Sequence, residues 1–164
     1  MSAKMDSRFT NILDLHSIEN SLKGLSSNDK PDFGVMSPQQ MVEHLIDAVD
    51  LSMNKLQPFD GIEQVDVERA RKFLFSDREI RPGARAPYSS QPPEGGQYAT
   101  LEDACASLIE RLKDFHQFFN QTPDRKTQHP LFGPLNFQEW IIFHNKHFTH
   151  HFKQFRICLL YTSL

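Results

Sequence analysis

The stretch NFQEWIIFHNKHFTHHFKQFRICLL, residues 136–160, decides the fold class of this chain. It predicts one long helix. Asn136 and Glu139 stand at the N-x-x-E spacing of a helix-capping box. At about 100° per residue, Trp140, His147, Phe148, His151 and Phe155 fall within about 60° of His144. Lys146 and Lys153 fall on the opposite side. The aromatic face is therefore the one to bury, and three histidines go in with it. His150 lies at the border of that face and is predicted to be less buried.

A buried histidine needs partners for both ring nitrogens. Three imidazoles along one helix face do not readily satisfy one another, and as cations they would repel. A shared metal ion resolves both problems; separate hydrogen bonds in the core are the alternative. His147 and His151 are four residues apart, so their Cβ atoms stand about 5–6 Å from each other and both rings can converge on one ion. This is the H-x-x-x-H spacing of metal motifs. His44, on a second predicted helix, is the best third ligand. Three neutral imidazoles would leave a coordination position open on zinc or a similar ion. His16, His116 and His129 have no such spacing. His129 precedes Pro130 in what reads as a loop.

Working outward, SPQQMVEHLIDAVDLSMNKL (residues 37–56) carries Ser37, Pro38 and Gln40 at the cap, first and third helical positions. TLEDACASLIERLKDFHQFFNQ (residues 100–121) starts on Thr100, with Glu102 and Asp103 at its positive dipole end, and Pro123 stops it. The spacing of Phe9, Ile12, Leu15, Ile18 and Leu22 predicts a helix over 7–23. Residues 64–76 predict a short one. No alternating strand pattern appears. The connector 57–99 is Pro/Gly-rich over 80–97 and long enough to run the length of a helix about 30 Å long. The expected fold is all-α: a single domain over 1–164, a four-helix bundle with a long crossover connection between the second and third long helices.

Composition fits that expectation. The chain has 164 residues, 38% hydrophobic and 24% charged, enough to build one core without staples. Its formal charge of −3 argues against nucleic acid as a partner. No run suits a membrane span, and the start lacks the apolar region of a signal peptide. Two cysteines, Cys105 and Cys158, make no disulfide framework, so the expected setting is cytoplasmic. The 14 phenylalanines predict a heavily aromatic core.

HFTHHFKQ (residues 147–154) resembles the H-x-x-H-H-x-x-Q signature in the last helix of the DinB-like superfamily, bacterial four-helix bundles of the DinB/YfiT type. FGVMSPQQMVEHL (33–45), HPLFGPLNFQEW (129–140) and KHFTHHFKQF (146–155) together resemble one branch, known only as a domain of unknown function. The resemblance spans residues 33–156, with the connector poorly matched. It implies a divalent ion, zinc or nickel, held by one histidine on the second helix and two on the last: His44, His147 and His151. It also implies chemistry in which a low-molecular-weight thiol is transferred, or a hydrolysis. Thr149 departs from the branch, which often has an acidic residue there to orient a ligand histidine. That task then falls to Asp47 or Gln154.

Three functions follow as expectations. One is a metalloenzyme, a thiol S-transferase or hydrolase, with His144 as proton shuttle or substitute ligand. The second is a non-catalytic bundle acting as a binding or structural module, a homodimer among its forms. The third is a catalytic cysteine with a histidine base, against which stands the placement of Cys105 and Cys158 on apolar helix faces.

Overall fold

A computed structural model describes residues 6–57, 65–84 and 95–158. Its elements, in chain order, are α1 (Leu15–Lys23), α2 (Pro38–Ser52), α3 (Val67–Leu74), α4 (Leu101–Gln121), β1 (Thr127–His129), β2 (Gly133–Leu135) and α5 (Phe137–Gln154). The chain is mostly helical, with one two-stranded antiparallel sheet. Residues 58–64 and 85–94 of the connector, and with them the course of the expected crossover, lie outside the described residues.

The helix starts follow from local chemistry. Ser37 accepts a hydrogen bond from the Gln40 N–H while the Gln40 side chain accepts from the Ser37 N–H, and Pro38 takes the first turn. Asn136 and Glu139 form the same reciprocal box at α5. Thr100 caps α4. Each pair satisfies donors that a helix start leaves without intrahelical acceptors.

The helix predicted over 7–23 begins only at Leu15. Phe9 and Ile12 are buried as expected, but from non-helical backbone. The Thr10 N–H bonds the Thr149 hydroxyl at 2.7 Å, and the Ile12 N–H bonds the Asn145 side chain at 2.9 Å. Side chains of α5 thus take donors that a helix would have paired internally. α2 ends at Ser52 rather than 56, with Asn54 in the left-handed region. α5 ends at Gln154 rather than 160. Arg156 adopts φ 61°, and the N–H groups of Arg156 and Ile157 return to the carbonyls of Lys153 and Phe152.

The β1–β2 hairpin corrects the all-helical expectation. Thr127 pairs with Leu135 and His129 with Gly133. Thr127, His129, Gly133 and Leu135 face inward, while Gln128 and Pro134 face out. Strands of three residues are too short for alternation to show. Thr127 donates its hydroxyl to the Ser52 carbonyl at 2.8 Å, fastening the hairpin to the end of α2.

The core is aromatic. Phe115, Phe119, Trp140, Phe148, Phe152 and Phe155 are almost wholly enclosed, beside Met41, Leu45 and Ile46. α2 packs against both α4 and α5, and α1 packs against α4. α5 is covered nearly all round. Lys146, placed opposite the face expected to be buried, is itself buried. The segment after α3 and the N-terminal segment cover that side. Its ammonium donates to the Ser76 and Arg78 carbonyls and lies 4.5 Å from the Phe9 ring centre.

Candidate metal centre

α2 presents His44 toward α5, where His147 and His151 stand one turn apart. Their Nε2 atoms meet: His44 to His147 at 3.0 Å and His151 to His147 at 3.1 Å. The three potential ligand atoms lie within 4.8 Å of one another. The rings approach edge-on, with centroids 4.8–4.9 Å apart. Donors bound to a single ion at about 2.0–2.1 Å stand roughly 3 Å apart at tetrahedral or octahedral angles. The two contacts made by His147 Nε2 match that spacing.

The electrostatics agree with the geometry. Burial, then the neighbouring His150, pushes the His44 pKa down to about 4. Burial followed by repulsion from other histidines holds His147 and His151 well below the ordinary histidine value. All three rings are therefore neutral near pH 7, each with one lone pair. The His151 proton has a defined home. Its Nδ1 lies 2.8 Å from Gln154 Oε1, while Gln154 Nε2 donates to the Phe33 carbonyl at 2.9 Å. His151 Nε2 is consequently the lone-pair nitrogen. Nδ1 of His147 is buried without a hydrogen-bond partner among the described residues. A divalent cation at the meeting point would accept the converging lone pairs; protons alone cannot serve every Nε2 contact.

The other predicted residues fall elsewhere. His144 is fully buried but outside the cluster. Its ring stacks on Trp140 with centroids 5.4 Å apart and meets Phe115 edge-on at 5.2 Å. Burial pushes its pKa down to about 3. Asp47 takes a hydrogen bond from Gln97; its carboxyl is raised by burial and by Asp50 and Glu43. Gln154, not Asp47, is the residue observed on a candidate ligand. Thr149 is committed to holding the N-terminal segment through Thr10 and to the Asn145 carbonyl. The Cys105 thiol is pushed up to about 11 by burial and by Glu102, which disfavours it as a nucleophile, and Cys158 is buried.

Two histidines differ from their sequence reading or extend it. His129 is not in an open loop but wholly buried at the end of β1. Its Nδ1 accepts from the Leu131 N–H at 2.9 Å, and its ring packs on Phe132, Trp140 and Phe143. His150 is half-buried, as its border position implied. Its ring lies 4.9 Å from His151 and 5.1 Å from Phe33, with Nδ1 3.1 Å from the Ile80 carbonyl. The choice between Asp47 and Gln154 was not visible in the spacing, since Asp47 stands three residues after His44 just as Gln154 stands three after His151.

Among the described residues, no helix is long and apolar enough to cross a membrane. No curated protein and no solved structure matches the chain. The family model of the DinB superfamily matches residues 18–155, from within α1 to the C-cap of α5. That span includes His44, His147, His151 and the elements that position them. With most of its length matched, the chain belongs to the DinB superfamily.

Proposed function

We propose that the chain is a divalent-metal protein, with zinc or nickel held by Nε2 of His44, His147 and His151. We further propose that it catalyses a metal-dependent thiol S-transfer or a hydrolysis. The observation that carries this reading is the convergence of three neutral imidazoles from two helices, with Nε2 contacts of 3.0 and 3.1 Å. A bound ion would supply Lewis acidity, lowering the proton affinity of a thiol or water at neutral pH. Three neutral ligands leave the charge of the ion uncompensated, which suits an anionic sulfur or oxygen at an open position. His44 and His147 come from different helices, so the site also clamps α2 to α5. His144 enters as a packing side chain, given its enclosure between Trp140 and Phe115.

In this reading the four longer helices α1, α2, α4 and α5 form one DinB-like bundle domain. The co-substrate is a low-molecular-weight thiol of the cytoplasm, and neither nucleic acid nor a membrane is a partner.

The decisive test is elemental analysis of untagged protein beside a His147→Ala/His151→Ala variant. About one divalent ion per chain is expected in the wild type, absent from a variant that keeps its helical circular dichroism. A wild type that takes up neither zinc nor nickel on equilibration would overturn the reading and favour a non-catalytic binding module. Metal-loaded protein should then consume thiol in the presence of an electrophile, and the variant should not.

A further inference from the structure

We propose that Gln154 is the positioning residue of the three-histidine site. It fixes which nitrogen of His151 carries the proton, and it is itself aimed by the backbone at Phe33 and Gly34. Its consequence for metal affinity rests on the metal reading above; the tautomer it sets does not.

A neutral imidazole has one N–H and one lone pair, and the partner of one nitrogen decides the role of the other. A glutamine amide in isolation is ambiguous, because its oxygen and nitrogen can exchange places. Here the second contact removes the ambiguity. The Phe33 carbonyl only accepts, so the group 2.9 Å from it is the amide NH2. Oε1 therefore faces His151 Nδ1 at 2.8 Å, and Nδ1 donates. The lone pair is left on Nε2, the atom that meets His147.

The amide has little freedom to turn. Gln154 is buried, and its own carbonyl accepts the Asp32 N–H at 2.8 Å. Gly34 adopts φ +75°, and a Cβ placed there would stand 2.9 Å from Gln154 Nε2. Only glycine leaves room for the amide while taking that backbone conformation. Arg156 holds the same segment by pairing with Asp32 and donating to the Lys30 carbonyl. The segment runs directly into Ser37, the cap of α2, which carries His44. Two hydrogen bonds thus tie His151 on α5 to the backbone segment that leads into α2. Because the orienting group is an amide and not a carboxylate, it directs the ring without adding negative charge.

The test reads tautomers first. In metal-free protein, nitrogen-15 NMR of the imidazoles should show His151 protonated at Nδ1. Gln154→Leu should lose that preference, and Gln154→Glu, which keeps an acceptor opposite Nδ1, should restore it. Zinc affinity by chelator competition should fall about 10–100-fold in Gln154→Leu, the usual effect of removing a partner that orients a ligand. Gln154→Glu should recover most of it. If the leucine variant does not fold, Gln154→Met, unbranched and of similar length, takes its place. An unchanged His151 tautomer in the folded variant would overturn the proposal. A wild type that shows the Nδ1–H tautomer but binds no zinc would defeat the metal reading and leave the positioning role standing.

Discussion

Lys146 shows how far a single position can depart from its place on a helical wheel. It lies opposite the histidine face of α5, where a lysine reads as solvent-exposed, yet only 3% of it is accessible. Burial lowers its proton affinity. Two carbonyls, Ser76 and Arg78, and the faces of Phe9 and Phe73 replace its water. Lys146→Met keeps the stem but leaves both carbonyls without their donor. It should cost about 1–3 kcal/mol, measured by urea unfolding, and leave zinc binding unchanged. The histidine face was legible because Trp140, Phe148 and Phe155 mark the buried side. The lysine was not, because its cover comes from residues 9 and 73–78, and no local pattern announces a contact that distant. His129 was missed for the same reason. Its surroundings, Phe132, Trp140 and Phe143, assemble only when the hairpin folds onto α5.

At the scale of elements, the helix starts were legible and the ends were not. Ser37 with Gln40, and Asn136 with Glu139, are written in side chains that perform the capping. The end of α5 is written in a backbone conformation that Arg156 adopts in place of the usual glycine, so nothing in the composition marks it. The late start of α1 has a tertiary cause, since Thr149 and Asn145 of α5 take the N–H groups of Thr10 and Ile12. The α2 box also matters for the site, because the start of that helix sets the rotational position of His44. Ser37→Ala removes the acceptor of the Gln40 N–H. It should lower stability by about 1 kcal/mol. If the cap also anchors the Phe33–Gly34 segment, the same variant should loosen Gln154, read as a broadened His151 imidazole signal. A loss of stability with that signal unchanged would confine Ser37 to capping.

The whole molecule has organised itself around a helix that carries ionisable rings into an aromatic core, and that arrangement sets its response to acid. Burial holds His44 down to about 4, and His129 and His144 to about 3; His147 and His151 are also well below the ordinary value of 6.5. In the unfolded chain each titrates near that ordinary value. Above it both states are neutral, and the stability of the fold is fully present. As pH falls below 6.5 the unfolded chain takes up protons that the folded chain refuses, so stability drops continuously toward the folded values. Each such histidine contributes up to about 1.4 kcal/mol per pH unit, and the five together up to about 7. Against a total stability of about 5–15 kcal/mol, that slope is large. Metal-free protein should therefore unfold cooperatively between about pH 6 and 4, beginning above the range in which most carboxylates titrate. His144→Phe should make the fall shallower by one proton, because that ring titrates without belonging to the three-histidine cluster. Zinc-loaded protein should resist to lower pH, since its ligands cannot take up protons while they hold the ion. Urea unfolding at pH 7.5, 6.5, 5.5 and 4.5, with and without zinc, checks all three slopes. A stability that stays level from pH 7 to 5 in the metal-free protein would mean that the histidines reach water in the folded state, which the enclosure of His144 and His129 forbids.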